Sequence, residues 1–168
     1  MRRAVTLALI ILTAILLQST LFGEIRLIGA RPELLYLVTI LIAMREGPSE
    51  GAIAGFAGGM ALDFLLNQPK GITALTLTIL GYVVGQLRQY IVSTSPWLPS
   101  ILVVIGTFFG VVFFGILSFL LGQLDVSVAY LLKTAFLSAI YNGLLTPIVY
   151  PILRRVTDTS EARSVFRW

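Results

Sequence analysis

The sequence predicts an all-α membrane protein, a polytopic bundle of six transmembrane helices in one domain, and three observations predict it. Hydrophobic residues make up 57% of the 168 residues, and charged residues only 12%. The charges gather in short clusters, and the apolar stretches between them approach the roughly 20 residues that cross a bilayer core. A soluble domain of this size could not hide several such stretches, because soluble helices need a polar face.

The clusters and turn residues divide the chain into six predicted spans. The first follows two arginines and is interpreted as a retained helix rather than a signal peptide, because it exceeds a usual h-region and lacks an A-x-A cleavage site. The second begins after Pro32, which suits a first helical turn. It is short, so it needs a thin bilayer or help from the preceding connector, or it is re-entrant. The predicted spans are 4–22, 33–44, 51–66, 72–87, 100–121 and 128–153, with a polar cytoplasmic tail at 154–168.

The basic residues predict that both termini lie in the cytoplasm. With six spans the two termini share a side, and that side holds eight of the 12 Lys and Arg residues. Positive charge collects on the cytoplasmic side of membrane proteins. The eight are Arg2, Arg3, Arg45, Arg88, Arg154, Arg155, Arg163 and Arg167.

The composition excludes most kinds of catalytic residue and metal site. The chain has no Cys and no His, so thiol nucleophiles, imidazole bases and the usual zinc sites are absent. It has no GxxxxGK[ST] and no GxSxG motif. The basic residues form no stripe suited to DNA or RNA. We therefore expect no catalytic residue, no metal, no cofactor and no nucleic-acid partner.

Glycines at four-residue spacing form three seams along predicted helices. Small residues let helix backbones approach closely in lipid, where the hydrophobic effect does not drive helices together. One interpretation is internal packing of the bundle, and the other is docking of another protein's helix. The glycines are Gly51, Gly55 and Gly59, then Gly81 and Gly85, then Gly106 and Gly110.

A few polar residues inside the spans form a candidate intramembrane polar site. Asp63 follows the stripe of Gly59, so it is expected to face protein rather than lipid. It either ties its helix to the turn at 67–71 or to Lys133, or it binds a ligand or a proton. Asn142, beside Tyr141, and Gln18 need hydrogen-bond partners in lipid and are candidates for bonds between helices.

The chain resembles the MreD family, the small rod-shape-determining membrane proteins of bacteria. The most specific part lies between Arg31 and Ile91, and the end of the chain also matches. The matching features, in order, are Arg31-Pro32-Glu33, Arg45-Glu46-Gly47-Pro48, Gly51 to Phe56, Gly58-Gly59, Asp63, Pro69-Lys70-Gly71, Leu80 to Gly85, Ala139 to Pro147, and Arg154-Arg155.

The resemblance implies a non-enzymatic scaffold of the cell-elongation machinery, the elongasome, in the bacterial cytoplasmic membrane. Its implied partners are MreC, a protein with one transmembrane helix, the polymerase and transpeptidase pair of peptidoglycan synthesis, and the MreB filament. The family is also similar in fold to the S-components of vitamin transporters. The alternative function is therefore a substrate-binding subunit of a small-molecule transporter, which would need a cavity lined by convergent polar groups. An enzyme using Asp63 ranks third, since no second catalytic group can be named.

Overall fold

The protein is described by a computed structural model that covers residues 2–24, 32–65, 71–90, 97–122 and 127–162. These residues form six α-helices and one short 3₁₀ helix and contain no strand, so the predicted all-α fold is confirmed. The predicted connector at 23–31 and the predicted turn at 67–71 lie largely outside the described residues, and the end of the tail at 163–168 lies wholly outside them. The α-helices are α1 (Arg2–Glu24), α2 (Leu34–Glu46), α3 (Pro48–Leu65), α4 (Ile72–Leu87), α5 (Leu98–Leu120) and α6 (Val128–Ala162).

Helix α2 lies at the centre of the bundle. Every residue from Leu34 to Ala43 is buried, and the helix contacts each of the other five α-helices. A helix that is apolar all round is buried on all sides. Its 13 residues extend about 20 Å, which is less than the roughly 30 Å of a bilayer core. The shortest predicted span thus forms the core of the molecule.

Helices α3 and α4 pack backbone to backbone along the first two glycine seams. A Cβ added at Gly55 would overlap the carbonyl group of Leu77, and one at Gly81 would overlap the carbonyl group of Gly51. Gly59 and Gly85 likewise face the backbones of Ala74 and Pro48. No space is left between α3 and α4 for a further helix.

The glycines of helix α5 contact side chains of a neighbouring helix. A Cβ at Gly106 would lie 2.8 Å from Cδ1 of Ile40, and one at Gly110 would lie 2.7 Å from the ring of Tyr36. All seven glycines of the predicted seams therefore face other elements of this chain. Two more glycines, which the four-residue spacing did not single out, receive side chains between α5 and α6. They are Gly115, against Leu131, and Gly143, against Val104.

Two of the described helices are long and apolar enough to cross a membrane on length and hydropathy alone. They are Leu98–Leu120 and Val128–Arg155. Two shorter apolar helices cover Val5–Thr20 and Ile72–Leu87.

The helix ends differ most from the predicted ones at two places. The polar turn predicted at 45–50 is a single residue, Gly47, between α2 and α3. Its φ of 102° is a left-handed conformation that favours glycine, and Pro48 starts α3 where a missing N–H costs little. At the other place, α6 continues beyond Leu153 to Ala162, into the segment predicted as a tail.

We expect Gly55→Ala to destabilise the protein by about 1–3 kcal/mol, because the new methyl group meets backbone that cannot rotate away. Thermal unfolding in detergent measures the loss. Gly58→Ala is the matched control on the same helix, since its Cβ would meet side-chain ends, Cδ1 of Leu35 at 2.8 Å and Cγ2 of Ile11 at 3.2 Å. An equal loss in both variants would contradict backbone contact as the cause.

Candidate functional site

The start of α2 is capped by side chains from two other helices. The first N–H groups of a helix have no partner within it, and α2 has no side-chain cap of its own. The side-chain oxygen of Gln18 on α1 accepts the Leu35 N–H at 3.0 Å, while its nitrogen donates to the Glu33 carboxylate at 2.8 Å. Oδ1 of Asn142 on α6 accepts the Glu33 N–H at 3.1 Å, and Nδ2 donates to the Glu33 carbonyl at 2.9 Å.

The same amide joins α5 to this cluster. Nδ2 of Asn142 also donates to Oγ1 of Thr107 at 3.1 Å. Both residues are fully buried. The two N–H bonds of the Asn142 amide are thereby used within the protein. We call Gln18, Glu33, Thr107 and Asn142 the α2 cap; it connects α1, α2, α5 and α6.

Asp63 caps the start of α4 in a similar way. Its Oδ2 accepts the N–H of Gly71 at 2.8 Å and the N–H of Ala74 at 3.3 Å. Helix α4 makes no side-chain cap bond of its own at Gly71, and a negative charge is favourable at a helix N-terminus. The side chain is 1% exposed, and its Oδ1 has no hydrogen-bond partner within the described residues. Lys133, the other partner considered from the sequence, is exposed on α6.

The four polar residues proposed from the sequence do not form one site. Gln18 and Asn142 meet in the α2 cap, and Asp63 lies at the start of α4. Tyr141 is half-buried on α6. Sequence reasoning missed Thr107, which has no local signal that distinguishes it from other threonines in apolar helices. It also gave Glu33 no role, although the acid directly precedes an apolar helix and follows a proline.

A groove of about 670 Å³ opens between α1, α2 and α6. We call it the α1–α6 groove. Thr6 and Thr13 are the only lining residues with polar side chains, and Oγ1 of Thr13 is already bonded to the carbonyl of Leu9 at 2.7 Å. None of the four polar candidates lines it. The lining residues are Thr6, Leu9, Ile10, Thr13, Ala14, Leu17, Leu34, Leu37, Val38, Leu145, Val149, Ile152 and Leu153.

The described side chains thus define a helical membrane protein whose buried polar groups cap helices and whose groove is apolar. Among them there is no cluster of three or more acidic residues that could hold a metal ion. A family model for the rod shape-determining protein MreD matches residues 1–156. The chain belongs to the MreD family, whose members are shape-determining components rather than known enzymes. No curated protein and no solved structure matches the chain.

We expect Asp63→Ala to cost about 1–3 kcal/mol for each buried N–H that it leaves unpaired. Asp63→Asn should cost less, because its amide oxygen can accept both bonds and only the favourable charge is lost, worth about 0.3–1 kcal/mol. Thermal unfolding of both variants in detergent tests this order. A fully folded Asp63→Asn variant that fails to support rod shape would instead assign the carboxylate a chemical role.

Proposed function

We propose that this chain is a non-enzymatic scaffold of the elongation machinery that binds the transmembrane helix of an MreC-like single-span protein and so supports peptidoglycan synthesis. The observation that carries the proposal is how its buried polar groups are used. Gln18, Asp63 and Asn142 all bond to the backbone at helix starts. Polar groups that are bonded in helix caps stabilise a fixed shape, which a scaffold needs.

The surface offered to a partner is intramembrane and apolar. The helices are joined by segments of at most nine residues, and the glycine seams are filled by this chain's own helices. Large apolar side chains are exposed along the outer faces instead, for example Phe56 on α3, Phe109 on α5 and Phe136 on α6. The transporter alternative requires a cavity with convergent polar groups, whereas the α1–α6 groove is apolar.

The scaffold is proposed to cross the cytoplasmic membrane six times, with both termini in the cytoplasm. We expect a Ser127→Cys variant to react with an impermeant thiol reagent added to intact spheroplasts, and a Ser49→Cys variant to react only after lysis. Both serines are exposed, and the natural chain has no Cys to interfere. Because the two changes are equally conservative, they control for each other. Labelling of Ser49→Cys from outside would remove one crossing from the proposed topology.

We expect an MreC-like partner to remain bound during purification in about 0.5 M salt. Helix association in lipid depends on close packing and a few hydrogen bonds, which salt does not screen, whereas exposed charges are screened over several ångströms at that concentration. Co-purification at low and high salt measures this. Loss of the partner in high salt would mean that charged connectors such as 23–31 hold it.

A matched control replaces only the partner's transmembrane helix with an unrelated single-span helix. The proposal requires that this chimera no longer co-purifies, although its external domain is unchanged. Retention of the chimera would locate the contact outside the membrane.

A further inference from the structure

We propose that the α1–α6 groove binds one acyl chain of an anionic phospholipid, whose headgroup lies at the arginine end of the groove. The proposal goes beyond the scaffold function and does not depend on the identity of any protein partner. It follows from the chemistry of the groove wall, from the groove's length and from the charges at its two ends.

The residues that line the groove favour a hydrocarbon ligand. The floor is the central helix α2, through Leu34, Leu37 and Val38, and the sides are apolar residues of α1 and α6. The hydroxyl of Thr13 is bonded to its own helix, so it does not require a polar ligand. A polar molecule placed here would lose its hydrogen bonds to water without replacement.

The groove is long enough to hold an extended hydrocarbon chain. From Thr6 to Leu17 it extends about 16 Å along α1 at the helical rise, and its lining is apolar along that length.

The two ends of the groove differ in charge. At one end, Leu17 and Leu34 adjoin Gln18 and the Glu33 carboxylate of the α2 cap. The polar groups at this end are already bonded to one another within the α2 cap.

The other end of the groove is basic. Ile152 and Leu153 are followed directly by the exposed Arg154 and Arg155 on α6, and the turn of α1 before Thr6 carries Arg2 and Arg3. Basic clusters beside grooves between membrane helices bind anionic headgroups. An acyl chain in the groove therefore places its phosphate favourably beside these arginines.

The test is lipid-dependent thermal stability of the purified full chain in detergent. Added phosphatidylglycerol should raise Tm more than phosphatidylcholine with the same acyl chains. Changing Arg3→Gln and Arg155→Gln together should remove most of that difference. Arg88→Gln, an exposed arginine on the 3₁₀ helix after α4, is the matched control and should preserve it. Equal Tm shifts from the two lipids, or an undiminished difference in the double variant, would overturn the headgroup assignment.

A second pair of variants tests the acyl-chain site. Val149→Phe fills the groove from α6 and should reduce the Tm shift from both lipids, whereas Ile148→Phe on the exposed face of α6 should not. Thr13→Phe fills the groove from α1 and provides a second readout if Val149→Phe does not fold. If the filled variants keep the lipid shift but lose a protein partner, the groove holds a partner's side chains and the lipid proposal is wrong.

Discussion

The buried start of helix α2 is the constraint on which the rest of the bundle depends. A helix that begins inside an apolar bundle exposes N–H groups that water cannot reach, and each unpaired group costs about 1–3 kcal/mol. Gln18 from α1 and Asn142 from α6 satisfy these groups, and Thr107 holds the second amide in place from α5. Four helices are therefore fixed in relative position by the requirement to cap one. The cause is burial, since Leu34 and Leu35 at the start of α2 are enclosed by the other helices.

The N–H groups at the start of α4 also need partners, and a carboxylate supplies them. Asp63 reaches from α3 to the N–H groups of Gly71 and Ala74, where the helix dipole stabilises a carboxylate. This explains why an acid is tolerated close to the end of α3. It also explains the spacing between the two helices, because Asp63 can reach α4 only if the glycines of α3 let the two backbones touch. The glycine seam and the acid form one structural unit, in which close packing and helix capping depend on each other.

The sequence predicts the helices well and their arrangement poorly. Hydrophobic runs and turn residues give six helices, and four-residue glycine spacing marks positions that lie against neighbouring helices. The central place of α2 was missed because its apolar run is too short to indicate a transmembrane helix clearly. The same run has no polar face, which indicates burial on all sides. The pairing of Asn142 with Glu33 joins residues 109 positions apart, and no local pattern encodes such a contact. Gly115 and Gly143 were missed because they receive side chains singly and do not repeat along a helix.

The packing of the helices differs between two sides of the molecule. Between α3 and α4, the backbones are in direct contact at the glycines of the first two seams. Beside the α1–α6 groove, helix α6 carries Pro147 and Pro151, each of which removes a backbone hydrogen bond, and Oγ1 of Thr146 bonds back to the carbonyl of Asn142. The weakest part of the α6 hydrogen-bond ladder therefore forms a wall of the groove, immediately after the amide that caps α2. A ligand that moves this part of α6 would act close to Asn142. The groove and the α2 cap are therefore connected through less than one turn of α6.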